Sequence, residues 1–173
     1  LKRKWEFKVV YLPNENISSL SLLIFFFEEK KLLILKNRMR NLRLVQENFG
    51  SISHIKLKES EVPIPNNNEV LIEVFSIGVS FADVLAYEGN YQDKPDLPFV
   101  AGLEVSGVVV AKGKAITSLD IGDEVIALTK WGGFSEYVTV DANYIIKKSS
   151  NIPHSIASTI IINYGTSIYT IED

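Results

Sequence analysis

Cysteine is absent from the 173 residues. That removes disulfides, thiolate zinc sites, iron–sulfur clusters and cysteine nucleophiles in one step. Histidine is scarce, and His54 and His154 are too few to build a histidine metal site by themselves. Positive charge is not in excess: a net charge of −3 gives no electrostatic case for nucleic acid as a partner. Long apolar runs are missing as well. Leu20–Phe27 and Leu32–Leu35 are split by Glu28-Glu29-Lys30-Lys31, and neither approaches the ~20 residues of a membrane span. Leu20–Phe27 is followed by charges where a signal peptide has a small-residue cleavage site. No two of the ten glycines are separated by a single residue, so the Gly-x-Gly-x-x-Gly string that seats a dinucleotide's phosphates is not present.

What is present is an ordinary globular mixture, 46% hydrophobic and 23% charged. The charge is unevenly spread. Residues 1–38 hold eight Lys/Arg against four Asp/Glu, and residues 39–173 hold ten against seventeen. The break falls at Met39, the single methionine. We expect residues 1–38 to be an extension outside the fold; the alternatives are an extra strand pair or a targeting arm. From residue 39 the chain reads as short strands between turn residues. Asn41–Glu47 and Glu69–Ile77 alternate apolar and polar side chains, the period of a half-buried strand. Leu103–Ala111 is β-branched and apolar, Glu124–Leu128 and Phe134–Val140 follow, and Tyr144–Lys147 is a shorter strand. Between them Phe81, Val84, Leu85 and Glu88 fall at helical spacing, with Ser80 as N-cap and Gly89 as stop. Ser150-Asn151-Ile152-Pro153 opens a second helical stretch, and 157–173 is helical or mixed. The expected class is mainly β with minor α, a small barrel or sandwich.

Specific strings go further than pattern. Gly78-Val-Ser-Phe-Ala-Asp83, Glu88-Gly-Asn-Tyr91, Leu97-Pro-Phe99, Gly102-Leu-Glu104 with Gly107, Gly122-Asp-Glu-Val125, Trp131-Gly-Gly-Phe-Ser-Glu-Tyr137 and Asn163-Tyr-Gly-Thr166 occur in that order. Together they resemble the medium-chain dehydrogenase/reductase superfamily, and within it the zinc-free quinone oxidoreductases and quinone oxidoreductase-like proteins. Asn90-Tyr-Gln-Asp-Lys-Pro95 also fits the latter. The resemblance covers about residues 39–173. It implies a GroES-like, partly open β-barrel over 39–156, followed at 157–173 by the start of a truncated α/β nucleotide-binding domain. Family members begin with a methionine just before the first strand, which is where Met39 stands.

The resemblance also implies a chemistry. Zinc-dependent relatives carry a cysteine at the position of Ser80 and a histidine at that of Leu103, and a four-cysteine lobe after the Gly-Asp-x-Val turn. This chain has none of these, so no zinc is expected. Without a Lewis acid the hydride acceptor has to be a quinone or an α,β-unsaturated carbonyl, whose conjugation spreads the developing charge. NADPH or NADH is the implied hydride donor. Ser80 lies where quinone reductases place an asparagine beside the nicotinamide; a plain helix N-cap is the competing reading. Asp83, three residues on, completes a capping box. Tyr91 faces the substrate cleft in the family, and its phenol can donate to a reduced oxygen; a loop anchor is the alternative. Thr166 corresponds to the family's contact to the nicotinamide amide, with Gly165 allowing close backbone approach. Glu104 sits in an apolar strand and needs a partner or an opening onto the cleft, of which pairing is favoured. Trp131-Gly-Gly-Phe134 reads as a hairpin turn with core aromatics in preference to a stacking site, and neither histidine is assigned a role. The expectation is the substrate-binding half of a zinc-independent, NAD(P)H-dependent quinone or enone oxidoreductase, inactive alone. The alternative is a non-catalytic GroES-like fragment or interaction module. A cytoplasmic location is expected, with small-molecule partners, no nucleic acid and no membrane; a homo-oligomer is left open.

Overall fold

In the computed structural model the residues described are 6–10, 22–26 and 40–172. Met39 and most of the expected extension lie outside them. Within that stretch β1 (Glu6–Val10) and β2 (Leu22–Phe26) pair antiparallel as a two-stranded ribbon. The elements that follow are β3 (Arg40–Gln46), β4 (Ile55–Glu61), β5 (Glu69–Gly78), α1 (Phe81–Glu88), β6 (Phe99–Val100), β7 (Glu104–Lys112), β8 (Glu124–Leu128), β9 (Tyr137–Asp141), β10 (Ile145–Lys147), α2 (His154–Ala157) and α3 (Ile160–Glu172).

Two antiparallel sheets carry the body, in the orders β10-β8-β7-β5-β9 and β4-β3-β6. β5 and β7 are the central pair because both are rich in β-branched residues that fit a pleated, buried surface. Val70, Ile72, Val74, Val105 and Val109 are all essentially inaccessible. The pair bulges twice, at Leu71/Ile72 and Val74/Ser76. Gly107 allows the close approach there, since a Cβ at that position would run into the Glu73 carbonyl oxygen. The segment before β9 stitches the two sheets together. Leu44 N–H donates to Phe134 O at 2.9 Å, Glu136 N–H to Leu42 O at 3.0 Å, and Val74 N–H to Glu136 O at 2.8 Å. The buried Asn41 amide exchanges hydrogen bonds with the Tyr137 backbone, 2.9 Å out and 3.0 Å back. The two sheets thus curl into a barrel that stays partly open, the mainly β class expected.

Two details differ from the sequence reading. β4 was not anticipated: Lys56, Leu57, Lys58 and Glu59 are all exposed, and the apolar–polar alternation is confined to the four residues Ile55–Lys58. Its register comes from seven paired residues of β3 and from Lys58 and Lys56, which meet Glu47 at 2.6 and 3.3 Å. The strand expected from Phe134 starts at Tyr137, since residues 134–136 turn aside to bridge β3.

Candidate functional site

The helix signals position one wall of the site. Gly89 takes φ 77° and closes α1 with Gly89 N–H to Ala86 O and Asn90 N–H to Leu85 O, the left-handed C-terminal turn that glycine permits. The chain then runs directly into Asn90-Tyr91. At the other end of α1, Ser80 is buried. Its backbone N–H and its hydroxyl both donate to Asp83 Oδ2, at 2.8 and 3.0 Å, while Asp83 Oδ1 accepts the Gly102 N–H at 3.1 Å. Asp83 is fully enclosed. Burial pushes its carboxyl above the usual range against the pull of those donors. The capping reading of Ser80 and Asp83 accounts for both side chains.

Tyr91 is half-buried on the wall of a cleft of about 460 Å³. Trp131 stands edge-on to it, ring centroids 6.0 Å apart, and packs in turn on Phe99 at 5.5 Å. Leu103, Leu128 and Ile162 give the cleft an apolar lining and Tyr144 adds a third aromatic ring. Among the described residues the Tyr91 hydroxyl has no hydrogen-bond partner. Asp93 and Lys130 border the cleft and pair at 2.8 Å, joining the loop after Tyr91 to the turn after β8. Lys130 does so from φ 61°, a left-handed conformation that non-glycine residues seldom adopt and that concentrates at functional sites. Nothing in the amino-acid pattern pointed to Lys130.

Glu104 is 1% exposed. Its partner is backbone: Oε2 accepts the Ile162 N–H at 3.1 Å, in the first turn of α3. Burial, opposed by the Ile162 amide and assisted by the Asp83 charge, pushes its carboxyl up to about 7. Thr166 lies one turn beyond Ile162, on a stretch of α3 that is exposed from Asn163 onward. A Cβ added at Gly165 would meet nothing within 4 Å. The structure therefore brings Tyr91, Trp131 and Ile162 together, sets Thr166 on the open helix beside them, and keeps Ser80 off the cleft lining. His154, to which the sequence assigned nothing, is a packing residue. Its Nδ1 lies 2.7 Å from Ser106 Oγ and its ring stands edge-on to Phe75. Among the described residues no three His, Cys, Asp or Glu side chains gather as a metal site would need.

Residues 66–150 match the alcohol dehydrogenase GroES-like domain. The chain is 40% identical over 100 residues to a quinone oxidoreductase-like protein 2 homolog of Nematostella vectensis, covering 57% of this chain and 27% of that protein. Among solved structures it superimposes on the human synaptic vesicle membrane protein VAT-1 homolog-like protein with a TM-score of 0.74 at 28% identity, covering 76% of this chain and 43% of that one. It also superimposes on mycobacterial Rv1454c complexed with NADPH, at a TM-score of 0.71 and 27% identity, over 77% of this chain and 41% of that one. The curated relatives are thus much longer, and the chain spans about 30% of their length.

Proposed function

We propose that this chain, whose residues 66–150 belong to the alcohol dehydrogenase GroES-like domain family and which is of the medium-chain quinone oxidoreductase-like kind, supplies the substrate-binding half of a zinc-independent NAD(P)H-dependent quinone or enone reductase. The observation that carries this is the Tyr91–Trp131 wall: a largely apolar cleft edged by aromatic rings, in which the Tyr91 phenol has no hydrogen-bond partner among the described residues. A planar conjugated carbonyl can slide against such rings, while the phenol donates to its oxygen.

NADPH, when bound, supplies the hydride. The residues here fit its nicotinamide end: Gly165 leaves open space, Thr166 offers an exposed hydroxyl, and both lie one turn from the cleft wall at Ile162. Tyr91 orients the acceptor and shares its proton with the oxygen on which negative charge develops. Leu103, Leu128 and Ile162 exclude water from the acceptor's face. A zinc ion does not fit. The two positions that hold it in zinc-dependent relatives present a leucine side chain and the Ser80 hydroxyl, which is spent on Asp83. Ser80 acts here through the shape of α1 and not by contact. On this reading residues 157–173 are the first piece of the nucleotide-binding domain.

The test uses 1,4-naphthoquinone and the fluorescence of Trp131. The quinone is expected to quench it saturably, with the saturable part missing in W131F and the apparent Kd raised in Y91F by about fivefold to tenfold, the worth of one hydrogen bond. Saturable quenching that survives in W131F, and so belongs to Trp5 alone, would overturn the assignment of the cleft.

A further inference from the structure

We infer that Glu104 is the positioning residue for α3: its carboxylate takes the free amides of the helix's first turn and so fixes where the helix leaves the sheet. The first amides of any helix lack partners within it and favour a negative group. Here the Ile162 N–H donates to Glu104 Oε2 at 3.1 Å, and the neighbouring Ile161 amide also favours the charged carboxylate. A carboxyl group enclosed without a cation is held against a substantial desolvation penalty, and its neighbour on the same face of β7 is the buried Ser106, while Val105 and Val109 point to the other face. Packing alone does not explain a glutamate at this position.

The surroundings are cleared for it. Gly78 lies opposite on β5, where a Cβ would come within 2.6 Å of Glu104 Oε1 and would also strike the Ser158 carbonyl oxygen. Ser158, just before α3, is itself fastened to β5 by a buried hydroxyl pair with Ser76 at 2.9 Å. The helix is therefore clamped at its first turn, while residues 163–171 are exposed. A rod held at one end takes its direction from the clamp. Ile162 places one side of that turn in the cleft wall, and Thr166 follows one turn later. The use of this placement for a nicotinamide rests on the function proposed above; the anchoring does not.

Asp83 on α1 is the charged group that faces Glu104. From β5, β8 and α3 its neighbours are Gly78, Leu128 and the Ile162 amide, none of them titratable. With its carboxyl raised to about 7, the contact can be watched by amide NMR of the 173-residue chain between about pH 5 and pH 9. The Ile161 and Ile162 amide protons are expected to shift together with a midpoint near 7, and the shift to vanish in E104Q. In E104A the α3 amides should exchange about tenfold faster, as loss of a charge-assisted hydrogen bond implies, with β5 and β7 unchanged. E104Q, which keeps an oxygen acceptor, should recover most of that protection. An Ile162 amide left unmoved by E104Q, or α3 exchange untouched by E104A in an intact sheet, overturns the inference. Should E104A fail to fold, the wild-type titration and E104Q decide by themselves. Adding NADPH and watching Thr166 reads the cofactor proposal separately: a silent Thr166 beside a titrating Ile162 sinks that proposal and leaves the anchor standing.

Discussion

At the scale of single residues the enclosed carboxylates set how stability responds to pH. Glu104 is raised from 4.5 to about 7, first by burial. The folded chain therefore binds a proton more tightly than the unfolded one. Its stabilising share is complete below the unfolded value and is lost as pH rises through about 7. Chemical denaturation should show E104Q gaining on the wild type by up to about 3 kcal/mol between acid and mildly alkaline pH. A constant difference across that window would mean that the carboxyl titrates normally. His154 runs the opposite way. Burial, then the Lys148 charge, hold its imidazole below the ordinary histidine range, although Glu124 Oε1 lies 3.3 Å from Nε2. Its share of stability is present above the unfolded histidine value and is lost as pH falls. Ring-proton NMR should find His154 titrating below the usual histidine value of about 6.5. Ser80→Ala removes one of the two donors to Asp83 Oδ2 and should cost about 1 kcal/mol in thermal or denaturant unfolding.

At the scale of elements, what could be read depended on whether the cause was local. α1 was legible because its causes lie within ten residues: a serine, an aspartate three places on, and a glycine stop. β5 and β7 announced themselves by β-branched alternation. β4 did not, since both of its faces meet solvent and Glu47, which pairs with its lysines, sits beyond β3. The partner of Glu104 was also out of reach, being a backbone amide 58 positions later. Tyr91 and Thr166 came from a resemblance and not from spacing, and the left-handed Lys130 gave no signal at all. α3 is the element where local preference and proposed use conflict. Gly165 lies inside the helix with nothing near it, and glycine there is worth roughly 0.5–1 kcal/mol less than alanine. Gly165→Ala should therefore strengthen α3, read as slower amide exchange along 163–171, while it weakens any NADPH-induced shift at Thr166. If alanine strengthens the helix and leaves the NADPH response whole, the glycine has no part in cofactor approach.

At the scale of the whole molecule, the described residues present one cleft, edged by Tyr91 and Trp131, and one exposed helix. Tyr164, Ile168, Tyr169 and Ile171 are each more than half exposed on α3, a concentration of apolar surface that invites association. Sedimentation should show concentration-dependent self-association that a double I168E/I171E substitution suppresses. The catalytic expectation follows from the same geometry. On the function proposed above, the contacts for a nicotinamide cofactor are those at its nicotinamide end, in the cleft and along α3, and the ten glycines contain no Gly-x-Gly pair to cradle its phosphates. Each ~1.4 kcal/mol of binding that is not supplied weakens affinity tenfold, so a cofactor held by its nicotinamide alone should bind orders of magnitude more weakly than one also held by its phosphates. The 173 residues by themselves should reduce no quinone at ordinary NADPH concentrations. Adding a separately expressed nucleotide-binding domain from one of the longer relatives should restore measurable NADPH-dependent quinone reduction, and Y91F should lower the restored rate. An interaction module without catalytic ancestry in its cleft would stay silent in that mixture. Turnover by the lone chain with micromolar NADPH affinity would contradict the division of the site between two domains, because the phosphates would then have a seat among these residues that neither the glycine pattern nor the described surface reveals.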